Sequence, residues 1–428
     1  VHQIETGGIA IRFTCPGMIG LMIFTMTACH DNPSSTEQNC FYGDYVIQQS
    51  DDVRVFHPYT CITGTLSIVD SELESVELPN LMAIGGSLII EDAPLLTDLA
   101  GLENLVSVGQ DIGLRGNDAL VDLEGLNSLI TIGGSIMVLE NDSLRNLGGF
   151  SEYVSTIPGS IIISDNPVLE TLHGLQGIRT VGGDVIIFSN ETLNTLEGLE
   201  SLTFVEGSLL LEENPGLLDC TGLSGLAKVS GDLEIVRNDG LISFDGIGDL
   251  SIVNTLTIEG NASLTDLSGL RIWIIDQGIT IKDNPSLSTF EGWAVDDTRN
   301  VSDMVIDNND ALVSMNGFPV EIDAFSIEYL VITDNNALQD VDGLEAVKHI
   351  GITLSIRNNP ALSHLDGLRA LRSVEGGVEI VENGTLPDCD ICVLLNQLLV
   401  LPLGQEVHGN LQDECYSSLD PQLDIQCE

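Results

Sequence analysis

Cys389-x-x-Cys392, followed by Cys415 and Cys427, is the arrangement in this chain that most invites chemistry. Four thiolates at such spacing can hold a tetrahedral zinc, and a CxxC pair alone can exchange disulfides. The redox reading wants a thioredoxin-like βαβ setting, and none surrounds this stretch. In an exported chain the disulfide reading outweighs zinc. Four cysteines allow three pairings, and the sequence does not choose among them.

Carboxylates make a second constellation. Glu124, Glu197, Asp245, Glu291, Asp342 and Asp366 each stand directly before a glycine that recurs along the chain. Asp342 and Asp366 fall in neighbouring repeats, about 5 Å apart if the repeats stack like strands. Such a pair could hold Ca²⁺ through carboxylate oxygens, the one cofactor the sequence suggests. Elsewhere the same slot carries His173, Thr221 or Ser268, which relieves repulsion without a metal. A solvated acidic ridge is therefore the simpler account, and the Gly-Gly-x-Gly-x-Asp calcium repeat is absent.

A third group lies between Asp245 and Tyr329, where the repeat loses its regularity. Arg271, Arg299 and Tyr329 are little constrained by the pattern and are the candidate ligand contacts, because arginine and aromatic side chains dominate interfaces. Trp293 and Phe318 occupy an apolar slot, and Trp273 the next one, so all three read as core. Asp296, Asp297 and Asp303 are the acidic group that a polysaccharide-degrading β-helix enzyme would use here. Such enzymes need Lys, Arg or paired carboxylates gathered on one face. Three lysines and seven scattered histidines argue for a non-enzymatic protein instead.

The elements that position these residues follow from one repeat. Twelve times, on average every 24 residues, the chain reads apolar, any residue, Gly, apolar, as in Leu99 to Leu102 and Leu365 to Leu368. A fixed period of this size signals a solenoid. The fuller unit is N-x-x-L-x-x-L-x-G-L-x-x-L-x-x-V-G-G-x-L-x-I. Its Asn or Asp slot falls at Asp70, Asp92, Asn117, Asn141, Asn166, Asn190, Asn214, Asn238, Asn261, Asn284, Asn309, Asn335, Asn359 and Asn383, with gaps of 22 to 26 residues. Stacked coil on coil, these residues should form an internal ladder, with Asn or Asp tolerating the left-handed region at its turn. The glycine pairs, such as Gly85-Gly86 and Gly182-Gly183, suit a corner with positive φ. After each pair the residues alternate apolar and polar, the period of a strand with one buried face. The expected fold is all-β, a right-handed parallel β-solenoid of about fourteen coils with short helical caps, roughly 65 Å long. Sequons occur at Asn141, Asn190, Asn261, Asn300 and Asn383, and four of them use the ladder Asn, so they read as accidents of the repeat.

This unit resembles the receptor L-domain, the leucine-rich β-helix of growth-factor-receptor ectodomains, and is more similar still to bacterial secreted proteins with tandem L-domain-like repeats. The resemblance covers about Cys40 to Cys415. It implies a binding solenoid. The Cys-rich module that follows each receptor domain is absent, so a receptor-kinase reading does not carry over.

Composition sets the compartment. Acidic residues number 65 against 14 basic ones, for a formal charge of −51. Nucleic acid and anionic membrane surfaces need a basic face, so both are excluded as partners. Met18 to Ala28 is apolar, follows Arg12, and ends in Met26-Thr27-Ala28-Cys29, which looks like a bacterial lipobox with Cys29 lipidated. Val1 fits an alternative start codon. Cys15 leaves with the signal, and Cys220 sits in an apolar slot as a small buried hydrophobe. Six cysteines remain: Cys40 and Cys61 near the start, then Cys389, Cys392, Cys415 and Cys427. The open ends of a solenoid must be blunted. A capping helix starting at Ser50 as N-cap should be pinned by a Cys40–Cys61 disulfide, and Ile391 to Leu399 reads as a second capping helix.

The expected organisation is an export signal over 1–28, a tether over 29–39, a disulfide-bonded cap over 40–63, the solenoid over 64–386 and a Cys-rich cap over 387–428. The chain then reads as a monomeric lipoprotein of the outer membrane or cell surface, touching the membrane only through its lipid. Its partner would be a protein or glycan.

Overall fold

The computed structural model describes residues 39–297, 301–318, 325–399 and 402–411. For Asp296, Asp297, Phe325 and Ser326 only the backbone is described. The export signal, Cys29, Arg299, Asn300, Cys415 and Cys427 lie outside the described residues.

Each regular coil supplies a two-residue strand, a corner and a four-residue strand, as in Thr180–Val181 and Val185–Phe188. The four-residue strands stack in parallel and in register, coil on coil: Val185 opposes Leu209, Ile186 opposes Leu210, and Ile187 opposes Leu211. Alternate residues face inward, so one apolar column runs Ile163, Ile187, Leu211, Ile235, each fully buried. The result is a parallel β-solenoid of about fifteen coils around one continuous core. Its main sheet outruns residues 64–386 at both ends. Tyr45–Ile47 pairs with Leu66–Val69, and Gly404–His408 pairs with Gly377–Val381. Each cap is thus itself a rung.

The asparagine ladder is present, fully buried from Asn117 to Asn383. Asn214 shows how it works. Its Nδ2 donates to the Ile187 carbonyl of the preceding coil and to its own Glu212 carbonyl, both at 2.9 Å. The same nitrogen and the Asn214 backbone N–H donate to Oδ1 of Asn238 in the next coil, at 3.3 and 3.1 Å. The amide thereby satisfies three coils at once. Asn141, Asn190, Asn261 and Asn383 have no exposure, so the sequons there are closed to a glycan.

Two expectations about this corner need correcting. Asp70 and Asp92 are not ladder residues. The ladder slots are Ser71 and Ala93, and the Ala93 N–H donates to Asn117 Oδ1 at 3.3 Å. Asp70 and Asp92 are the left-handed residues just before the slot, with φ of 48° and 50°. Glu140, Asp165, Glu213 and Arg237 do the same at φ between 51° and 55°. Only that twist aims the next side chain into the core. It costs on the order of 1 kcal/mol per residue, which the ladder bonds offset. The glycine pairs, in turn, are not left-handed. They are small because the coils touch: a Cβ on Gly133 would lie 2.1 Å from the Gly109 carbonyl oxygen, and one on Gly376 would lie 2.0 Å from that of Ile352.

A second polar ladder enters every early strand. Thr65, Ser87, Asp111, Ser135, Ser160, Asp184, Ser208 and Asp232 each accept, through the side chain, the backbone N–H of the next coil at 2.7 to 3.2 Å. It ends at Thr255, whose hydroxyl donates back to Asp232 at 2.6 Å and which is followed in the next slot by Gly278. There the glycine corner also fails, and the two strands of a coil fuse. Arg271–Lys282 is one strand of 12 residues and Val347–Arg357 one of 11.

The N-terminal helix α1 spans Ser50–Phe56, with Gln49 rather than Ser50 as N-cap. The Asp52 carboxylate decides this by accepting the Gln48 and Gln49 N–H groups at 3.0 and 3.1 Å. Cys40 and Cys61 are disulfide-bonded across neighbouring rungs, with Cα atoms 4.5 Å apart. The C-terminal helix α2 spans Asp388–Gln397, not Ile391–Leu399. Asp388 and Asp390 suit its first turn, and Leu398 already turns extended.

Two measurements check this account. Asn214→Leu should lose about 3 kcal/mol or more, because the buried Asn190 N–H loses its acceptor and the amide's bonds to the Ile187 and Glu212 carbonyls and to Asn238 go with it; denaturant unfolding reads the loss. Gly125→Ala places a Cβ 1.7 Å from the Leu99 carbonyl oxygen and should destabilise severely, whereas Gly404→Ala has open space and should be within about 0.5 kcal/mol of the parent.

Candidate functional site

The turn before each recurring glycine is closed by a short polar side chain two residues upstream. Asp122 accepts the N–H of Glu124 at 3.1 Å, Asp219 that of Thr221 at 2.9 Å, and Asp340 that of Asp342 at 3.2 Å. The slot is an Asx or Ser/Thr turn, which is why it draws from so small a set of residues. Asp340 also accepts the Ser314 hydroxyl from the coil before. One coil further on, the same slot holds His364.

Asp340, Asp342 and His364 place one ligand atom each within 4.8 Å of one another, and among the described residues they are the one group so arranged. The Asp342 carboxyl is raised above its ordinary range by partial burial and then by the charge of Asp340. Asp366 stands apart from this trio. Its carboxylate is held by Arg369 at 2.7 Å, with His364 Nδ1 at 4.0 Å. The structure thus groups Asp342 with Asp340 and His364, and ties Asp366 to a cation. Two carboxylates and an imidazole suit a first-row divalent ion better than calcium, which prefers oxygen alone. Asp340 and His364 were missed in the sequence because the turn slot looked purely structural.

Arg271 and Trp273 lie two residues apart on the fused strand Arg271–Lys282 and are both exposed. Trp273 is 52% exposed, not core. The reason is its slot: it directly follows the buried second residue of the short strand, the corner position that is exposed at Gly109, Gly133, Pro158, Glu206, Ser230 and Ser251 as well, while Ile272 and Ile275 face inward on either side. Trp293 and Phe318 are buried as expected and pack edge to face at 5.2 Å, with Phe290 beside them. Tyr329 is 38% exposed but distant. It opposes Asp303, which opposes Gly278 on the strand of Arg271. Seven strand positions and two rungs separate it from Arg271. Asp297 opposes Ile274 and Asp303 opposes Gly278, which separates their backbones by roughly 13 Å along the sheet.

An acidic trough of about 520 Å³ runs beside the asparagine ladder over the early coils. Asp92, Glu140 and Asp165 from the left-handed slot line it, with Asp118, Asp142 and Glu191 from the slot after the ladder. Glu140 is paired with Arg115 at 3.0 Å. The sequence signal was present, an acid on either side of a buried Asn, but only the corner geometry turns both outward. Cys220 is buried, and burial pushes its thiol up to about 12, which leaves it inert. Cys389, at the start of α2, is disulfide-bonded.

The raised Asp342 carboxyl has a signed consequence. The folded chain holds this proton more tightly than the unfolded one, so Asp342 favours folding at low pH and opposes it as pH rises through its raised pKa. Asp342→Asn should raise Tm at pH 7 by about 1 °C, the group being largely solvated, and the gain should vanish on acidification toward pH 4. Scanning calorimetry across that range measures it.

No family model matches the chain, and no curated protein matches it. Solved structures with some likeness include an internalin from Listeria monocytogenes, at 13% identity over 84% of this chain and 84% of that one, with a TM-score of 0.24. Another is a TLR13–ssRNA13 complex, at 12% identity over 83% and 82%, with a TM-score of 0.12. Likeness at these scores adds nothing to what the coils themselves show, a leucine-rich parallel β-solenoid.

Proposed function

We propose that this chain is a non-enzymatic, exported lipoprotein of the receptor L-domain-like type, which presents a rigid solenoid side for binding a protein or glycan in adhesion or envelope contact. The observation that carries the reading is the platform around Trp273. The two short strands merge there into one of twelve residues, and an exposed Trp and Arg stand two residues apart on it. Large aromatic and Arg side chains held on a rigid sheet bind without losing much conformational freedom. Tyr329, and Arg299 outside the described residues, would extend the contact along the rod.

The Cys40–Cys61 disulfide supports an oxidising compartment. No helix among the described residues is long and apolar enough to cross a membrane. Attachment then falls to lipid on Cys29. A protein that acts through a lateral face and is repelled from its own copies by its charge works as a monomer.

A screen of the exported chain against glycan and envelope-protein arrays, with and without calcium, tests the reading. A hit weakened about tenfold or more by Arg271→Ala, Trp273→Ala or Tyr329→Ala supports it. A hit indifferent to all three moves the contact elsewhere, and no hit replaces binding by a structural envelope role. Detergent-phase partition should be lost in Cys29→Ala; if it persists in that variant, the lipid assignment fails.

A further inference from the structure

The outward side of the main sheet changes character along the rod. Six consecutive rungs run from Leu88–Glu91 to Leu209–Glu212. The second residue of each faces out. In order these are Ile89, Gly113, Met137, Ile162, Ile186 and Leu210. A Cβ on Gly113 would meet Ile89 Cδ1 at 3.1 Å and Met137 Cε at 3.9 Å, so those two side chains close over the glycine and the stripe is unbroken. Five rung spacings make it roughly 24 Å long. In the coils that follow, the same slot is polar at Glu234, Thr257 and Thr280, apolar again at Val305 and Val331, and polar at Ser355 and Glu379. The solenoid therefore does not require apolar residues here, and a run of six rungs without a polar side chain calls for another cause.

Acid borders the stripe on both sides. At the strand ends lies the trough of Glu140, Asp142, Asp165 and Glu191. At the strand entries lie Asp111 and Asp184 of the serine-rich ladder. An anionic surface would be repelled, and so would a second copy, which brings the same rims and the same charge of −51. Rows of apolar side chains give a sugar no hydrogen bonds. The complement is an apolar segment flanked by cations.

We propose that this stripe is the docking surface for a partner protein's polypeptide segment whose apolar side chains are flanked by lysine or arginine. It rests on the reading of the chain as a binding solenoid, but places this contact on coils remote from Trp273.

The test uses the full chain and two dye-labelled synthetic peptides, one alternating valine with lysine and one alternating valine with glutamate, followed by anisotropy at physiological salt. The lysine peptide should bind and the glutamate peptide should not. Ile162→Asn with Ile186→Asn should weaken binding at least about tenfold, as should the rim pair Glu140→Gln with Asp165→Asn. Should the asparagine pair fail to fold by circular dichroism, the rim pair and Ile162→Thr with Ile186→Thr carry the test. Glu124→Gln with Glu197→Gln, equal in charge but on the column before the glycines, should leave affinity within about twofold. An equal loss from that control pair means general attraction to an acidic protein and overturns the proposal. So does failure of the lysine peptide to bind, equal binding of the glutamate peptide, or a dimer in sedimentation that the Ile162 and Ile186 changes dissolve. An array hit that survives the stripe substitutions and falls with Trp273→Ala belongs to the broader binding reading, which stands or fails on the arrays, while this proposal stands or fails on the peptides.

Discussion

Everything in this protein depends on the distance from one coil to the next. Parallel strands bonded rung to rung lie about 4.8 Å apart, so each residue sits directly over its equivalent one repeat away. Whatever occupies a slot must tolerate a copy of itself at that spacing. Leu, Ile and Val do so inside, where stacked columns fill the core. Asn does so at the corner, since an amide can donate to one neighbour and accept from the other, which a carboxylate or an apolar side chain cannot. Gly does so where backbone meets backbone, as at Gly125 over Leu99.

The same constraint explains where the acid goes. A carboxylate cannot stack inside, and none of the acidic side chains among the described residues is buried; they lie on turns and outward slots. Some serve the fold directly. Asp111, Asp184 and Asp232 accept N–H groups of the next coil, and Asp52 closes α1. Others only face water, and the trough beside the ladder results. Where two acidic slots and a histidine coincide, at Asp340, Asp342 and His364, the raised Asp342 carboxyl shows how close packing and like charge act together.

Irregularity is where surface chemistry collects. Once the corner glycines are gone, two short strands become one, and the corner slot, exposed in the regular coils as well, carries a large side chain. Trp273 fills it beside the exposed Arg271 while Ile272 and Ile275 stay in. The serine-rich ladder ends just before this point, at Thr255, whose hydroxyl donates back to Asp232.

The repeat period, the alternating strands and the leucine slots were enough to determine a parallel β-solenoid with an internal asparagine ladder, capped near Cys40 and Cys61. Those features are local and recur, so many coils report the same structure and outvote any one departure. What the sequence left open was set by contacts between coils. The ladder register moved by one residue at Asp70 and Asp92 because only φ decides which of two adjacent residues points inward. The glycine pairs proved to answer to a neighbouring carbonyl rather than to their own backbone angle. Trp273 faced outward because it stands in the corner slot rather than in the apolar one beside it, and Asp342 joined Asp340 and His364 rather than Asp366 because Arg369 reaches Asp366 first. Each of these is a relation between residues about 24 positions apart or a choice between two facing directions, and periodicity along one chain is blind to both.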